Sequence, residues 1–386
     1  MNKKLLAAAV ASALAVPVTA SAQVTISGIF KVGISNISVS GVQTPGRAND
    51  SQIRVDDNSS RILFNVAEDL GGGLSAIAQL DLRFAPDQAG AAPASNPIGS
   101  GNTYVGLRSN SWGTFSMGRW DLHYGQQPDD IASKAGALMA ASVSLMDYQL
   151  VGTGTAQTAA VANATRTANV IKWDSPNWGG FTATAAYSTS PLAASSEGDM
   201  ATIAATQSSV SGSGLNLAAS FVAANWGIRA SMWDAKAEAT STLATPTEQS
   251  SVSASAYMRF GGFKVGIGMN QAELTSNTTV ISDRTNMTVP VSYTTGAHNF
   301  YAHYTMAGDD DAAQFAGLDT KAKMMAFAYV YDMSKRTSIG ITYAQIDNGL
   351  NANYNFFTGG SLGSADANPG RGEDLRIIQG TLRHAF

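Results

Sequence analysis

The chain has no cysteine, few charges and no long apolar run beyond its first residues, and each shortage excludes something. Without cysteine there is no disulfide framework, so an exported chain of this length must be held by its own backbone ladder and packing. Charged residues make up 13%, well below the ~25% of soluble domains. After residue 22 no run of about 18 apolar residues occurs. The longest candidate, Ala135 to Met146, has 12 residues with two serines, too few for a membrane helix. Amphipathic helical periodicity is almost missing as well. The formal net charge is −4, which argues against a nucleic-acid partner.

At the amino end Met1-Asn2-Lys3-Lys4 is a short basic head, Leu5 to Val16 an apolar run, and Ala20-Ser21-Ala22 a small-residue cleavage site. This pattern predicts a secretory signal over 1–22 and a mature chain from Gln23. Loss of Lys3 and Lys4 would take the charge from −4 to −6.

Beyond it, period-2 alternation recurs in segments of about ten residues, the length a tilted strand needs to cross a bilayer. Phe181, Ala183, Ala185 and Tyr187 alternate with Thr182, Thr184, Ala186 and Ser188, and Phe263, Val265, Ile267 and Met269 with Lys264, Gly266, Gly268 and Asn270. Short connections (Asp69–Gly73, Asn110–Gly113, Ser175–Gly180, Ala224–Gly227, Phe260–Phe263, Thr294–His298, Asp332–Arg336) alternate with longer ones at 40–57, 85–101, 121–165, 191–213, 239–249, 274–283, 308–319 and 347–372. That order gives sixteen strands. Ser111-Trp112-Gly113, Asn177-Trp178-Gly179 and Asn225-Trp226-Gly227 place an indole at the same end three times, as an interfacial girdle requires. The predicted fold is therefore all-β, a 16-stranded antiparallel transmembrane β-barrel forming one domain over 23–386, closed because lipid cannot satisfy an open edge. Sixteen strands leave a water-filled channel. The 45 residues of 121–165 follow the strand Gly113 to Trp120 and show no sustained alternation. They are expected to fold inward as a constriction loop, the third of the long loops, with Ala135 to Met146 packed on the wall.

The last strand ends on a bare aromatic, Phe386. In order along the chain stand Ser59-Ser60-Arg61, Glu68-Asp69-Leu70-Gly71-Gly72-Gly73, Val105-Gly106-Leu107, Gly113-Thr114 leading to Met117-Gly118-Arg119, Ser334-Lys335-Arg336-Thr337, and Leu382-Arg383-His384-Ala385-Phe386. Together these resemble the trimeric general-diffusion porins of the Gram-negative outer membrane, of the type found in beta-proteobacteria. The resemblance implies a homotrimer in the cell outer membrane, passive diffusion of ions and small hydrophilic solutes, and a terminal Phe386 that serves in the signal for the barrel assembly machinery. First and last strands must pair, which suggests a salt bridge between the Gln23 amino group and the Phe386 carboxylate.

A channel needs a constriction with a field across it. A basic residue facing lipid at the midplane costs roughly 2–4 kcal/mol, so mid-strand cations should face the lumen. Parity puts Lys31, Arg61, Arg83 and Arg108 there, as one basic wall on the first four strands, and brings Asp81 to the same face. Arg119 shares parity with Phe115 and Met117 and needs a bulge near Gly118 or a place beyond the lipid belt; the resemblance implies that it faces the channel. The loop offers Asp121, Asp129, Asp130 and Asp147 against Lys134 and Arg166, and Asp129-Asp130 equally fits the cap of a turn at Ile131. Weak ion preference is expected.

Other functions leave weaker traces. A solute-specific channel would use a file of aromatics, but Tyr104, Tyr257 and Tyr301 lie on distant strands. An outer-membrane enzyme would need one of His123, His298, His303 or His384 beside a nucleophile, and Gly359-Gly360-Ser361-Leu362-Gly363 lacks the strand and helix its elbow requires. An adhesin would keep the 45-residue loop outside. Asp309-Asp310-Asp311 lacks the spacing and the glycine of a calcium loop and is expected to be a solvated outer loop, with loose divalent-ion bridging to lipopolysaccharide as the lesser alternative. No cofactor or metal motif rises above chance.

Overall fold

The computed structural model describes residues 22–41, 49–87, 99, 101–123, 127–128, 130–146, 148–151, 158–161, 167–189, 212–237, 247–357 and 369–386. The expected signal up to residue 21, Asp129, Asp147, Arg166 and the 359–363 motif lie outside the described residues.

Strand β1 (Gln23–Ser40) shows the construction rule. Val24, Ile26, Phe30 and Ile34 are exposed, whereas Lys31, Ser35, Ile37 and Val39, of the other parity, are buried inside. Its partner β2 comes in two halves, Asp50–Asp57 and Arg61–Gly71, both paired to β1. They part at Ser59, whose φ of +76° is left-handed, and the Asp57 carboxylate accepts the Ser59 and Ser60 amides at 2.9 Å each. Then follow β3 (Leu74–Arg83), β4 (Thr103–Ser109), β5 (Gly113–Trp120), β6 (Thr167–Asp174), β7 (Phe181–Ser188), β8 (Gly212–Val222), β9 (Trp226–Ala237), β10 (Thr247–Phe260), β11 (Phe263–Ser276), β12 (Thr279–Thr295), β13 (His298–Ala307), β14 (Ala322–Asp332), β15 (Thr337–Asn348) and β16 (Asp374–Ala385). Every neighbour pairs antiparallel, and β16 pairs with β1 from Ile29↔Ala385 to Ser40↔Asp374. The sheet thus closes on itself with sixteen strands, as expected.

The seal differs from expectation in register. Phe386 and Gly28 exchange both backbone bonds at 3.1 Å, while Gln23 lies opposite Ala67. Gln23 is five residues, or about 16 Å of strand, from that seal, so the terminal salt bridge does not form.

Two connections are shorter than the sequence suggested. The expected long loop at 274–283 is a tight turn at Asn277-Thr278, made possible by the left-handed Asn277 (φ +59°). The first loop shrinks to 41–49 because both flanking strands run on. Trp112, Trp178 and Trp226 stand exposed on the short-turn rim. The wall is uneven: β4 has seven residues and β5 to β7 eight, against 14 to 17 in β10 to β12.

Inside, one sector breaks the polar rule. Ile37, Val39, Met324, Ala326, Val330, Ala344, Ile346, Leu375 and Ile377 of β1 and β14–β16 all face inward and form an apolar cluster. That patch needs a cover.

Candidate functional site

The cover is the segment between β5 and β6. Ile131, Ala135, Ala137, Met139, Ala140, Val143 and Leu145 pack into the apolar sector, with a 3₁₀ turn at Leu138–Ala140 and a single helical turn α1 (Val143–Met146). The inserted segment follows the inner face. At its root His123 bridges Ser231 Oγ of β9 (2.8 Å) and Ser251 Oγ of β10 (3.0 Å). Asp130 receives Lys264 Nζ of β11 at 2.7 Å and the Ser292 hydroxyl of β12 at 3.3 Å. Lys134 pairs with Asp332 of β14 and donates to Asn299 Oδ1 (3.1 Å). Lys31 Nζ donates to Ala132 O at 2.7 Å, the Ala137 amide to Thr342 Oγ1 (3.0 Å) and the Leu138 amide to Asn58 Oδ1 (2.9 Å). His303 meets Ala140 O (2.7 Å), and Asn286 Nδ2 donates to Met146 O (3.1 Å). Glycine permits a close approach: a Cβ on Gly340 would lie 2.5 Å from Ala135 O. These contacts run round the wall from β9 through β15 to β1 and the first half of β2.

The expected basic residues divide. Lys31, Arg61, Arg83 and Arg108 all have inward register, Lys31 opposite Arg383 and Arg61 opposite Arg83. Arg108, however, lies opposite Ser75, eight residues from Arg83 along β3, or about 26 Å. Parity fixes the face and says nothing of height, so Arg108 sits at the short-turn rim, apart from the others. Arg119 lies opposite Thr103, in the register of Phe115 and Met117, beside a register shift between Gly118 and Trp120. Gly118 takes φ +147°, open to glycine alone. It is Trp120 that turns to the lumen, stacked on Tyr104 at 4.1 Å with Lys172 Nζ 4.0 Å from its ring.

The carboxylates are mostly engaged. Asp81, buried, pairs with Arg83 at 3.1 Å. Asp130 is held by Lys264, on the opposite side of the barrel from the first four strands, so it anchors the inserted segment instead of facing the basic wall. The Asp121 amide donates to Asn102 Oδ1 at 2.7 Å, which fixes the root of the segment at β4. Asp310 is not the solvated residue expected of its triplet; it is buried and paired with Arg284 at 3.0 Å.

Sequence parity missed several lumen groups. Arg54 lies opposite buried Ser35, pairs with Asp56 at 2.5 Å and reaches Met139 Sδ at 3.8 Å; its strand was hidden in a stretch assigned to a loop. Arg229, Arg259 and Arg383 share inward register with buried Ser231, Ser253 and Thr381. With Arg108 they have no carboxylate within ion-pair distance among the described residues.

A family model described as Gram-negative porin matches residues 7–351. An outer membrane porin protein of Bordetella pertussis is 29% identical over 191 residues, covering 47% of this chain and 46% of its own. The match thus spans about half the length of that curated relative. An anion-selective porin from Comamonas acidovorans has a similar fold, with TM-score 0.71 and 21% identity over 95% of this chain and all of its own. The trimer form of OmpT from Vibrio cholerae follows with TM-score 0.60 and 14% identity, again over 95% of this chain and 100% of its own.

Proposed function

The chain belongs to the Gram-negative porin family, and from that premise we propose that it is an outer-membrane channel for passive diffusion of ions and small hydrophilic solutes. The observation that carries this reading is the inserted segment: its root at Leu122 packs by Val170 of β6 and Ala186 of β7, and from Asp130 to Met146 it lies along one side of the inner wall, with the β3–β8 side across the bore. Arg61, Arg83 and Asp81 stand at one edge of that free arc, and Lys172, paired with Asp174 at 2.5 Å, further round. Size is filtered by the space between segment and arc, and charge by the side chains on both.

The balance of charge favours anions mildly. Asp81, Asp130, Asp174 and Asp332 are each neutralised by a cation, whereas Arg108, Arg229, Arg259 and Arg383 have no such partner among the described residues. In a watery bore a unit charge 10 Å away is worth only about 0.4 kcal/mol before screening. Four of them support a preference of a few-fold, far from ideal exclusion.

The assembly is proposed as a homotrimer. β4 offers seven residues, about 18 Å of height at a 40° tilt, which is less than the ~25 Å apolar band of a barrel wall. A wall that low is best covered by neighbouring copies. Export by the 1–22 signal and recognition of Phe386 by the assembly machinery belong to the same reading; Phe386 is exposed and tilts on Phe30 at 6.0 Å.

The test is a planar-bilayer recording of purified protein in a potassium chloride gradient. Stepwise conductance with a reversal potential giving a few-fold anion preference is expected. An absence of steps would end the channel reading, and near-ideal selectivity for either ion would end the charge balance drawn here.

A further inference from the structure

A second segment enters the barrel mouth and lies on the first. After β15 the Gly349 and Asn351 amides donate to Lys321 O and Asp319 O at 2.8 Å each, and the Tyr354 amide to Asn348 Oδ1 at 2.8 Å. Ala352, Tyr354, Phe356 and Phe357 are buried in the same cluster as Met139, Val143 and Leu145. The Phe357 amide donates to Ser144 Oγ (2.9 Å), and that hydroxyl donates to Met139 O (3.1 Å). The two inserted segments are thus bonded through one serine.

Behind the second segment sits a buried charge pair. Arg284 of β12 donates from Nε to Asp310 Oδ2 (3.0 Å) and from Nη1 to Thr320 O (3.1 Å) and the Tyr354 phenol, whose ring lies 5.1 Å from the guanidinium. Asp310 also accepts Ser282 Oγ (2.7 Å) and the Asp283 (2.9 Å) and Ala312 (3.0 Å) amides. Arg284 and Asp310 are only 5% and 4% exposed. A pair so enclosed cannot lose one member without leaving an uncompensated charge, so its geometry is held tightly. Burial pushes the Tyr354 phenol up, against the pull of Arg284, so the hydroxyl stays neutral and accepts that bond.

We propose that Arg284, Asp310 and Tyr354 are positioning residues for the channel: they lock residues 349–357 onto 139–146, so that two segments and not one set the bore. This rests on the channel reading above. Freed of the lock, the 349–357 segment lifts and the segment beneath loses its lid.

The test is single-channel recording of Asp310→Asn and Tyr354→Phe beside the parent. We expect conductance to rise roughly 1.5-fold with added open-channel noise, as for a loosened constriction, and the phenol variant to show the smaller change. The chain's lack of cysteine permits a clean rescue. A Ser144→Cys, Phe357→Cys disulfide in the Asp310→Asn background should restore parental conductance and noise, and reductant should undo it. Parental behaviour of both single variants overturns the lock. A changed conductance that the disulfide does not restore also overturns it, since the charge then acts on the ions directly. If Asp310→Asn does not fold, Tyr354→Phe with the same cysteine pair decides alone. Failure of the parent to form channels would instead end the channel reading.

Discussion

His123 turns burial into a pH dependence. It is fully buried between Ser231 and Ser251, and burial, with Arg229 near, pushes the imidazole from 6.5 down to about 4. A chain in which the segment root has come free regains the ordinary value, so it binds a proton more readily between pH 6.5 and 4. Stability is therefore full above about 6.5, falls as pH drops through that window, and levels off below about 4, by at most about 3 kcal/mol. Thermal unfolding in detergent should move to lower temperature across that window, and His123→Gln should flatten the slope. Identical pH profiles for the two proteins would acquit this histidine. At this scale the sequence told which face a strand residue takes: Lys31, Arg61, Arg83 and Asp81 have the register that alternation gives. It did not tell height, so Arg108 was placed with a cluster it does not join. The inward face of Trp120 follows from the same alternation, since it shares the parity of Ser116 and Gly118, opposite to that of Phe115, Met117 and Arg119.

The inserted segment is held to its wall as much by what is missing from the wall as by its own bonds. A valine at Gly340 would drive its Cβ to 2.5 Å from Ala135 O and 3.0 Å from the Val330 side chain. We expect Gly340→Val to cost about 1–3 kcal/mol by overpacking and to lower the melting temperature. Gly380, on the lipid face with nothing within 4 Å, should accept valine without change. Equal melting temperatures for the two variants would mean that the segment does not press on β15. The length and the lack of alternation of 121–165 were legible in the sequence, and so was the packing of Ala135 to Met146. The seat for it was legible only in hindsight. Met324 to Tyr331 is apolar on both parities, which a strand facing lipid on one side and water on the other does not need. Asp130 showed no sign of its partner, because Lys264 is 134 residues away and meets it only once the sheet has closed.

At the scale of the whole molecule, the unequal wall predicts unequal neighbours. Val105 on the low side and Val252 on the tall side both point outward, 56% and 60% exposed. If copies cover the low side, Val105→Arg should shift the unheated gel band from trimer to monomer. Val252→Arg, facing lipid, should leave the trimer intact and lower the yield of inserted barrel, at roughly 2–4 kcal/mol. The same band pattern for both would mean that β4 faces lipid. The sixteen strands, the alternation of short turns with longer loops everywhere except at Asn277-Thr278, and the three tryptophans on one rim followed from the sequence alone. They are local: period-2 patterning and turn chemistry act between residues close along the chain, and lipid then forces closure. Which cations keep a free charge, where the two inserted segments rest and how the ends meet at Gly28 and Phe386 were decided by the tertiary structure. Those depend on register and height around the closed wall, where residues a hundred positions apart become neighbours.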